Sequence, residues 1–290
     1  MYPPNADEFY RELTLRNRGL ISDEDQQRLR GARILVAGCG STGGAAIEPL
    51  VRAGAENLVL VEPGAYELNN LNRQRASVEA LGRNKARWLG ERASAINPHL
   101  NIEVHTEGVT AENARAICNG CALVIDAVDV TTMQGLAAKF ALHEAAQQSA
   151  LPTISAYDLA FRQYVRVYDY REGHLPFDDR IGRLRRARNP VEALAILVPV
   201  WAIPADLLDE IERLMSDPGA SISQLGCTAD LFGALVVPLA LELLARRRVR
   251  KSFVVDLKDA ISPRRMRLRR RVLALAGLLR VQRRVWSSKG

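Results

Sequence analysis

Ile34-Leu35-Val36-Ala37 is an unbroken apolar run, and it passes directly into Gly38-Cys39-Gly40-Ser41-Thr42-Gly43. A short continuous run of this kind reads as a buried parallel strand. The glycines constrain the next turn and helix. Gly38 permits a tight turn, Gly40 lets the backbone come close to a phosphate, and Gly43 lets the helix pack on the strand. Gly44-Ala45-Ala46-Ile47 opens that helix, although Pro49 sits deep inside it and predicts a kink. Leu58-Val59-Leu60-Val61 is the second strand, ending in Glu62 about 20 residues past Gly43. The free N–H groups and positive dipole end at the helix start favour an anion, and a carboxylate at position 62 can accept hydrogen bonds from ribose hydroxyls.

The segment after the second strand separates two kinds of nucleotide. Asn69-Asn70-Leu71-Asn72-Arg73-Gln74 is a polar run that a dinucleotide dehydrogenase has no evident need for. A triphosphate does: Arg73 offers a planar, permanently charged fork for phosphate oxygens, and the asparagines offer neutral donors. Gly82-Arg83-Asn84-Lys85 adds a point charge at a helix start. Leu123-Val124-Ile125-Asp126-Ala127-Val128-Asp129 is a further apolar strand ending in two aspartates, at the end of the strand where open α/β sheets bind ligands. One of them could hold Mg2+ bridging phosphates.

Together these residues resemble the adenylating domain of the ubiquitin-activating (E1-like) enzymes, the ThiF/MoeB/HesA family. The resemblance is carried by Arg16 with Asn17, Gln26 or Gln27 before Leu29, the glycine loop, Glu62, Asn70-Leu71-Asn72-Arg73-Gln74, Gly82 with Lys85, Ile96-Asn97-Pro98 and Asp126-Ala127-Val128-Asp129. It covers roughly residues 9 to 170, with a weaker echo to about 258. It implies an α/β fold, a Rossmann-like doubly wound and mainly parallel sheet with helices on both faces. It also implies an ATP- and Mg2+-dependent activation of an acceptor carboxylate as an acyl-adenylate, with pyrophosphate released. Carried over position by position, the resemblance makes Arg16, Arg73, Lys85 and Asp129 catalytic, with Asp129 holding the Mg2+. Gly38, Gly40, Gly43, Glu62, Asn70, Gln74 and Asp126 join Arg73 and Lys85 in contacting the nucleotide. In the family the arginine of the N-terminal preface often reaches the phosphates of the partner subunit. Arg16 matches by its Arg-Asn pair, with Arg11 and Arg18 next in line. Past Asp129 the family usually carries an Asn and later an Arg. Val130-Thr131-Thr132-Met133 stands here instead, a departure where the acceptor's carboxylate is held.

The chain divides into a helical preface (1–31), the adenylating domain (32–260, with a proline-punctuated crossover at 171–224) and a basic tail (261–290). At 48% hydrophobic and 25% charged over 290 residues, it is an ordinary globular protein with enough chain for a core. No leader peptide is visible. The longest apolar window, Leu231 to Ala245, is too short to span a bilayer. In the preface Asp7 to Arg16 reads as a short helix, and Ser22 as the N-cap of a second. Helices are expected over Gly82 to Ala95, Ala111 to Ile117, Lys139 to Ser149, Pro204 to Met215 and Ala229 to Ala245. Strands are expected over Asn101 to Thr106, Thr153 to Ala156, Gln163 to Tyr168 and Phe253 to Leu257. Tyr157-Asp158 lies at a strand end near where an acceptor would enter.

Four cysteines in a chain this long make no disulfide framework and point to a reducing cytoplasm. Cys118-x-x-Cys121 lacks the second pair of a structural zinc site, so no zinc is expected and both read as packing residues. Cys227, before the last long helix, reads as a packed thiol, and adenylation without an enzyme thioester is expected. Ten Lys or Arg and no acid lie in 261–290, leaving −3 for residues 1–260 against +7 for the whole. Leu268, Val272, Leu275, Leu279 and Trp286 share one helical face there. That helix would dock on the body or a dimer mate, bind RNA or an acidic partner, or lie on an anionic membrane. The acceptor implied by the resemblance is the C-terminus of a small ubiquitin-like or sulfur-carrier protein, a peptide or a small molecule, and the enzyme a homodimer. Three alternatives remain open on sequence grounds: a tRNA-modifying dehydratase of the same superfamily, an inactive nucleotide-binding partner subunit, and an NAD dehydrogenase.

Overall fold

The computed structural model describes residues 5–208, 210, 211, 213, 222–270, 272–274 and 277. Seven strands form one sheet in the order β3-β2-β1-β4-β5-β6-β7. They are β1 (Arg33–Ala37), β2 (Asn57–Val61), β3 (Asn101–His105), β4 (Leu123–Asp126), β5 (Pro152–Leu159), β6 (Arg162–Asp169) and β7 (Ser252–Asp256). The first five run parallel, and β6 and β7 add antiparallel at one edge. Every central strand is apolar on both sides because both faces are covered. Ile34, Val36, Leu58, Leu60 and Ile125 pack in one core layer, and Leu35, Ala37, Val59, Val61 and Val124 in the other. Continuous apolar runs rather than alternating ones are the direct result.

The first layer holds α2 (Asp23–Gly31), α3 (Ser41–Ala53), α4 (Lys85–Ile96) and α9 (Gly226–Leu244). The second holds α5 (Ala114–Cys118), α6 (Met133–Gln148), α7 (Ile181–Leu184) and α8 (Pro190–Leu197). Helix α6 begins six residues before the expected Lys139, because the Thr132 hydroxyl caps it by accepting the Gly135 N–H. A Cβ on Gly135 would lie 2.0 Å from the Asp129 carbonyl, so this turn accepts only glycine. The stretch Val130 to Met133, a departure from the family pattern in sequence, is thus a helix start. The helix expected over Pro204 to Met215 begins as a 3-10 turn, Ala205–Leu207; positions 209, 212, 214 and 215 lie outside the described residues, as do Leu275, Leu279 and Trp286 of the tail. Leu268 and Val272 of that stripe are exposed.

Helix α9, at 19 residues, is long and apolar enough by length and composition to cross a membrane, which corrects the shorter window expected from sequence. In this fold it buries Phe232, Val236, Leu239, Ala240 and Leu243 in the same core layer as α3, each larger side chain contributing about 1.5–3 kcal/mol. The partner face is shaped by Pro49, which has no N–H to give the Ala45 carbonyl. Gly233 approaches that carbonyl so closely that a Cβ there would stand 2.6 Å from it.

The preface closes the far end of α3. Helix α1 (Ala6–Leu13) carries Tyr10, whose hydroxyl donates toward the Gly54 and Gln26 carbonyls. The Gln26 amide donates to the Ala53 carbonyl at 2.7 Å, as does the Asn17 amide at 3.0 Å. These are the orphan acceptors a helix leaves at its C-terminus.

The packing of α3 on α9 predicts the sign of one substitution. Relieving glycine's entropy in a helix would stabilise by about 0.5–1 kcal/mol, whereas overpacking costs about 1–3 kcal/mol. With the Ala45 carbonyl in the way, Gly233→Ala is expected to lower stability, read as a reduced urea midpoint.

Candidate active site

The site forms where the strand order reverses, between the carboxyl ends of β1 and β4, the usual ligand crevice of an open α/β sheet. Gly38 has φ +88° and its absent Cβ would fall 2.1 Å from the Ala127 carbonyl. A Cβ on Gly43 would lie 1.8 Å from the Gly38 carbonyl. Both glycines are therefore demanded by the protein itself. Gly40 is different: a Cβ there would meet only Gln74 Nε2, at 3.8 Å. The space above it is open, and no side chain caps the start of α3. The first N–H groups of that helix are left for an outside acceptor.

Glu62 braces the loop. One carboxylate oxygen accepts the Cys39 N–H at 2.9 Å and the other the Gly64 N–H at 2.8 Å. Lys85 is the first residue of α4, fixed by the N-cap Asn84, whose side chain accepts from Arg87 N–H and donates to the Glu62 carbonyl. Lys85 makes no ion pair among the described residues and shares with Glu62 the space beside Gly64.

The Asn-rich segment folds as a tight turn. Asn70 is buried and forms a reciprocal capping box with Glu67, so it shapes the turn rather than facing open space. Its carbonyl accepts the N–H groups of Arg73 and Gln74. Among the described residues the Arg73 guanidinium is held by neutral acceptors only: Gln224 Oε1 at 2.7 Å, the Asn69 carbonyl at 2.9 Å and Asn72 Oδ1 at 2.8 Å. Partial burial lowers its pKa, and the nearby Asp158 acts the other way. Gln74 Oε1 is buried with no hydrogen-bond partner among the described residues, close to the opening above Gly40.

The two aspartates after β4 part ways. Asp126 was expected to contact the nucleotide, and the structure does not place it there. Its side chain is buried on the α6 side, where it accepts from Lys139, Ser155 and, at 2.8 Å, His143 Nε2. Burial alone would raise its pKa; the Lys139 ammonium and the His143 contact hold it far below the usual carboxylate range. Burial in turn lowers the pKa of His143, whose Nδ1 faces the Tyr170 hydroxyl at 2.6 Å. Asp126 thus anchors the loop from beneath. Asp129 is exposed, its carboxylate accepting only from the Thr131 N–H and hydroxyl.

Arg16 is exposed and lies beside Asn17 at the C-terminal end of α3. The glycine loop is at the other end of that 13-residue helix, about 18 Å away along its axis. Within one chain, Arg16 is not part of the cluster.

Asp158, at the end of β5, is. Its carboxylate accepts from the Ser41 hydroxyl at 3.0 Å and the Thr42 hydroxyl at 3.3 Å, in the first turn of α3. Burial pushes its pKa up to about 6, against the hydroxyls and Arg73.

A family model described as the ThiF family matches residues 14–265. The chain belongs to the ThiF family. A sulfur carrier protein adenylyltransferase of Thermus thermophilus is 34% identical over 124 residues, 42% of this chain and 45% of that protein. The matches to the first curated relatives span between about a third and under two thirds of those proteins' length. Among solved structures, PaaA superposes with a TM-score of 0.63 at 16% identity, covering 89% of this chain and 83% of that one. An E. coli tRNA N6-threonylcarbamoyladenosine dehydratase in complex with ATP gives 0.56 at 21% identity, covering 83% and 96%. These likenesses show the fold.

Within this ThiF domain the cysteines are all free. Cys118 and Cys121 are buried, the former pushed up to about 12 by burial. Cys227 corrects the packed reading: α9 starts at Gly226, three residues earlier than expected, which leaves the thiol exposed in its first turn. No group of three or more His, Cys, Asp or Glu suited to a metal occurs among the described residues. Gln224 escaped the sequence reading, since it meets Arg73 from 151 residues away. Ser41 and Thr42 had a visible signal, as hydroxyls inside the glycine loop, and Asp158 stood out at a strand end; that the three would meet had none.

The site's packing and its buried carboxylate each set a stability outcome. Gly43→Ala should destabilise far more than Gly40→Ala, because only the first drives a Cβ into backbone; thermal melting ranks them. Asp158 has a folded pKa above its unfolded value of 3.8, so it destabilises increasingly as pH rises from there to about 6, and fully above. Asp158→Asn should therefore gain more stability at pH 7.5 than at pH 4, by up to about 3 kcal/mol.

Proposed function

We infer that the chain is an ATP-dependent adenylyltransferase that activates a carboxylate. The observation that carries this is Arg73, a guanidinium beside an open glycine loop with only neutral partners. A cation left unneutralised there is complementary to phosphate oxygens. The adenylyltransferase relative and the ATP named for a structural neighbour support the same reading.

In this reading the phosphates rest over Gly40 and the first N–H groups of α3, with Arg73 and Lys85 offsetting charge that grows on the α-phosphate as it is attacked. Gln74 Oε1 and the remaining lone pairs of Glu62 serve the nucleoside or its hydroxyls. An oxygen of the acceptor carboxylate bonds to the α-phosphorus. The bond to the β-phosphate breaks, and pyrophosphate leaves with the electron pair. Asp129 fits a hard cation by donor chemistry, being an exposed carboxylate without an ion pair among the described residues; it would hold Mg2+, which spreads phosphate charge when bound. Arg16 completes the site from a second copy of the chain, since its own chain keeps it at the wrong end of α3. The acceptor is the C-terminus of a small carrier protein or peptide, or a small-molecule carboxylate.

A second reading is an ATP-dependent tRNA-modifying dehydratase. It is favoured by Arg264, Arg265, Arg267 and Arg269, all exposed on one short segment, and by likeness to the dehydratase fold. Binding of tRNA on filters that weakens steeply between two salt concentrations would support it; salt-independent or absent binding would exclude it.

A charge-assisted contact to phosphate is worth about 1.5–3 kcal/mol. Arg73→Ala should therefore weaken ATP binding about 10- to 100-fold in calorimetry without lowering the melting temperature by more than a few degrees. Asp129→Ala should remove the dependence of ATP affinity on added Mg2+. Parent-like affinity in the Arg73 variant would contradict the assignment.

A further inference from the structure

The start of α3 is occupied in the free protein by a negative side chain. Asp158 reaches it from β5 and takes hydrogen bonds from both Ser41 and Thr42. These are the two residues that come after Gly40, where the adenylyltransferase reading seats the phosphates. Asp158 is largely buried but not fully covered. Its neighbour across the β5–β6 pair is Gln163, on the same face of the sheet. Gln163 is completely buried; its amide meets no partner in good hydrogen-bond geometry among the described residues, but it lies close enough to the Asp158 carboxylate to hold that group's pKa down. A carboxylate and a buried amide thus stand side by side at the start of α3.

The charges facing Asp158 can be named element by element. Helix α3 offers hydroxyls and no acid in its first turn. The Asn-rich turn offers Arg73, while Arg75 is spent on Asp230 of α9. Strand β6 offers Gln163; Arg162 alternates to the other face and pairs with Asp256. The first turn of α9 adds Thr228, whose hydroxyl bonds to the Ala160 carbonyl. Among the described residues, Arg73 is therefore the cation that serves both Asp158 and an incoming phosphate. Two anions a few ångströms apart disfavour each other's ionisation. A protonated carboxyl, by contrast, is a donor and can bond to a phosphate oxygen.

We propose that Asp158 is a phosphate-contacting residue that takes up a proton when the nucleotide binds and engages it as the neutral acid. The proposal rests on the ATP reading of the site. The proton comes from buffer and ends on the Asp158 carboxyl; no other bond changes. Burial already brings this carboxyl within reach of such a transition near neutrality. Adenylate formation would thereby be favoured under mildly acidic conditions, and the site would discriminate against polyanions as pH rises.

The test is calorimetry of the full chain with Mg2+ and ATP at pH 7, in two buffers of different ionisation enthalpy, for the parent and Asp158→Asn. Asp158→Ala is run as well, so that the result does not hang on one variant folding. The γ-phosphate of ATP titrates alike in all of them, so the difference between proteins isolates Asp158. The expected result is that the parent takes up more protons per ATP than either variant, by up to one. Its affinity should fall about tenfold per pH unit above neutrality, while that of Asp158→Asn stays flat and is at least tenfold tighter at pH 8. Adenosine, which has no phosphate, should show no proton uptake and no difference between proteins. Equal proton uptake in parent and variants overturns the proposal while leaving the ATP reading intact, as does weaker ATP binding by Asp158→Asn at pH 8. Absence of ATP binding in folded parent and variants alike defeats the nucleotide reading itself, and this proposal with it.

Discussion

The backbone contact between Gly38 and Ala127 is the constraint on which the rest of the structure depends. It joins the ends of β1 and β4, the place in the sheet where successive crossovers leave in opposite directions, and so creates the crevice. Any side chain at Gly38 would occupy the position of the Ala127 carbonyl, and any at Gly43 that of the Gly38 carbonyl. Two glycines thus serve the fold, whereas a Cβ at Gly40 would meet nothing closer than Gln74 Nε2 at 3.8 Å. The capping of α3 shows the same division. Its C-terminal carbonyls are satisfied by Tyr10, Asn17 and Gln26 from the preface, while its N-terminus has no side-chain cap.

Electrostatics then separates structural charge from functional charge. Lys139 and Asp126 neutralise each other in the interior, with His143 and Ser155 completing the carboxylate's shell. A buried pair of this kind is expensive to break and poor evidence of activity. Arg73, by contrast, is oriented by Gln224, Asn69 and Asn72, none of which carries charge. Neutral tethers fix a guanidinium without cancelling it, which is what recognition of a polyanion requires.

Much of this was legible in the sequence where the signal is local. The glycine loop, the strand ending at Glu62, the N-cap Ser22 and the doubly covered sheet come from short-range rules of turn, cap and apolar run. The misreadings share another cause. Asp126 and Asp129 look alike in sequence. A strand's alternation says that its side chains take opposite faces, but only the arrival of α6 says that the Asp126 face is closed. Cys227 changed from packed to exposed through a three-residue shift in a helix start. Arg16 is a different case, expected from sequence to reach a partner's phosphates; which end of α3 it occupies in its own chain depends on a contact across 36 residues, from Asn17 to Ala53. The meeting of Arg73 with Gln224, and of Ser41 with Asp158, likewise needs the assembled sheet.

The central claim is that the opening above Gly40 holds the phosphates of ATP, gripped by Arg73 and Lys85. Crystals of the protein soaked separately with Mg2+–ATP and with NAD test it most directly. The account predicts triphosphate density over the start of α3, within hydrogen-bonding distance of the Arg73 guanidinium, and none for the dinucleotide. Density for NAD alone, or for ATP away from Arg73, would contradict it.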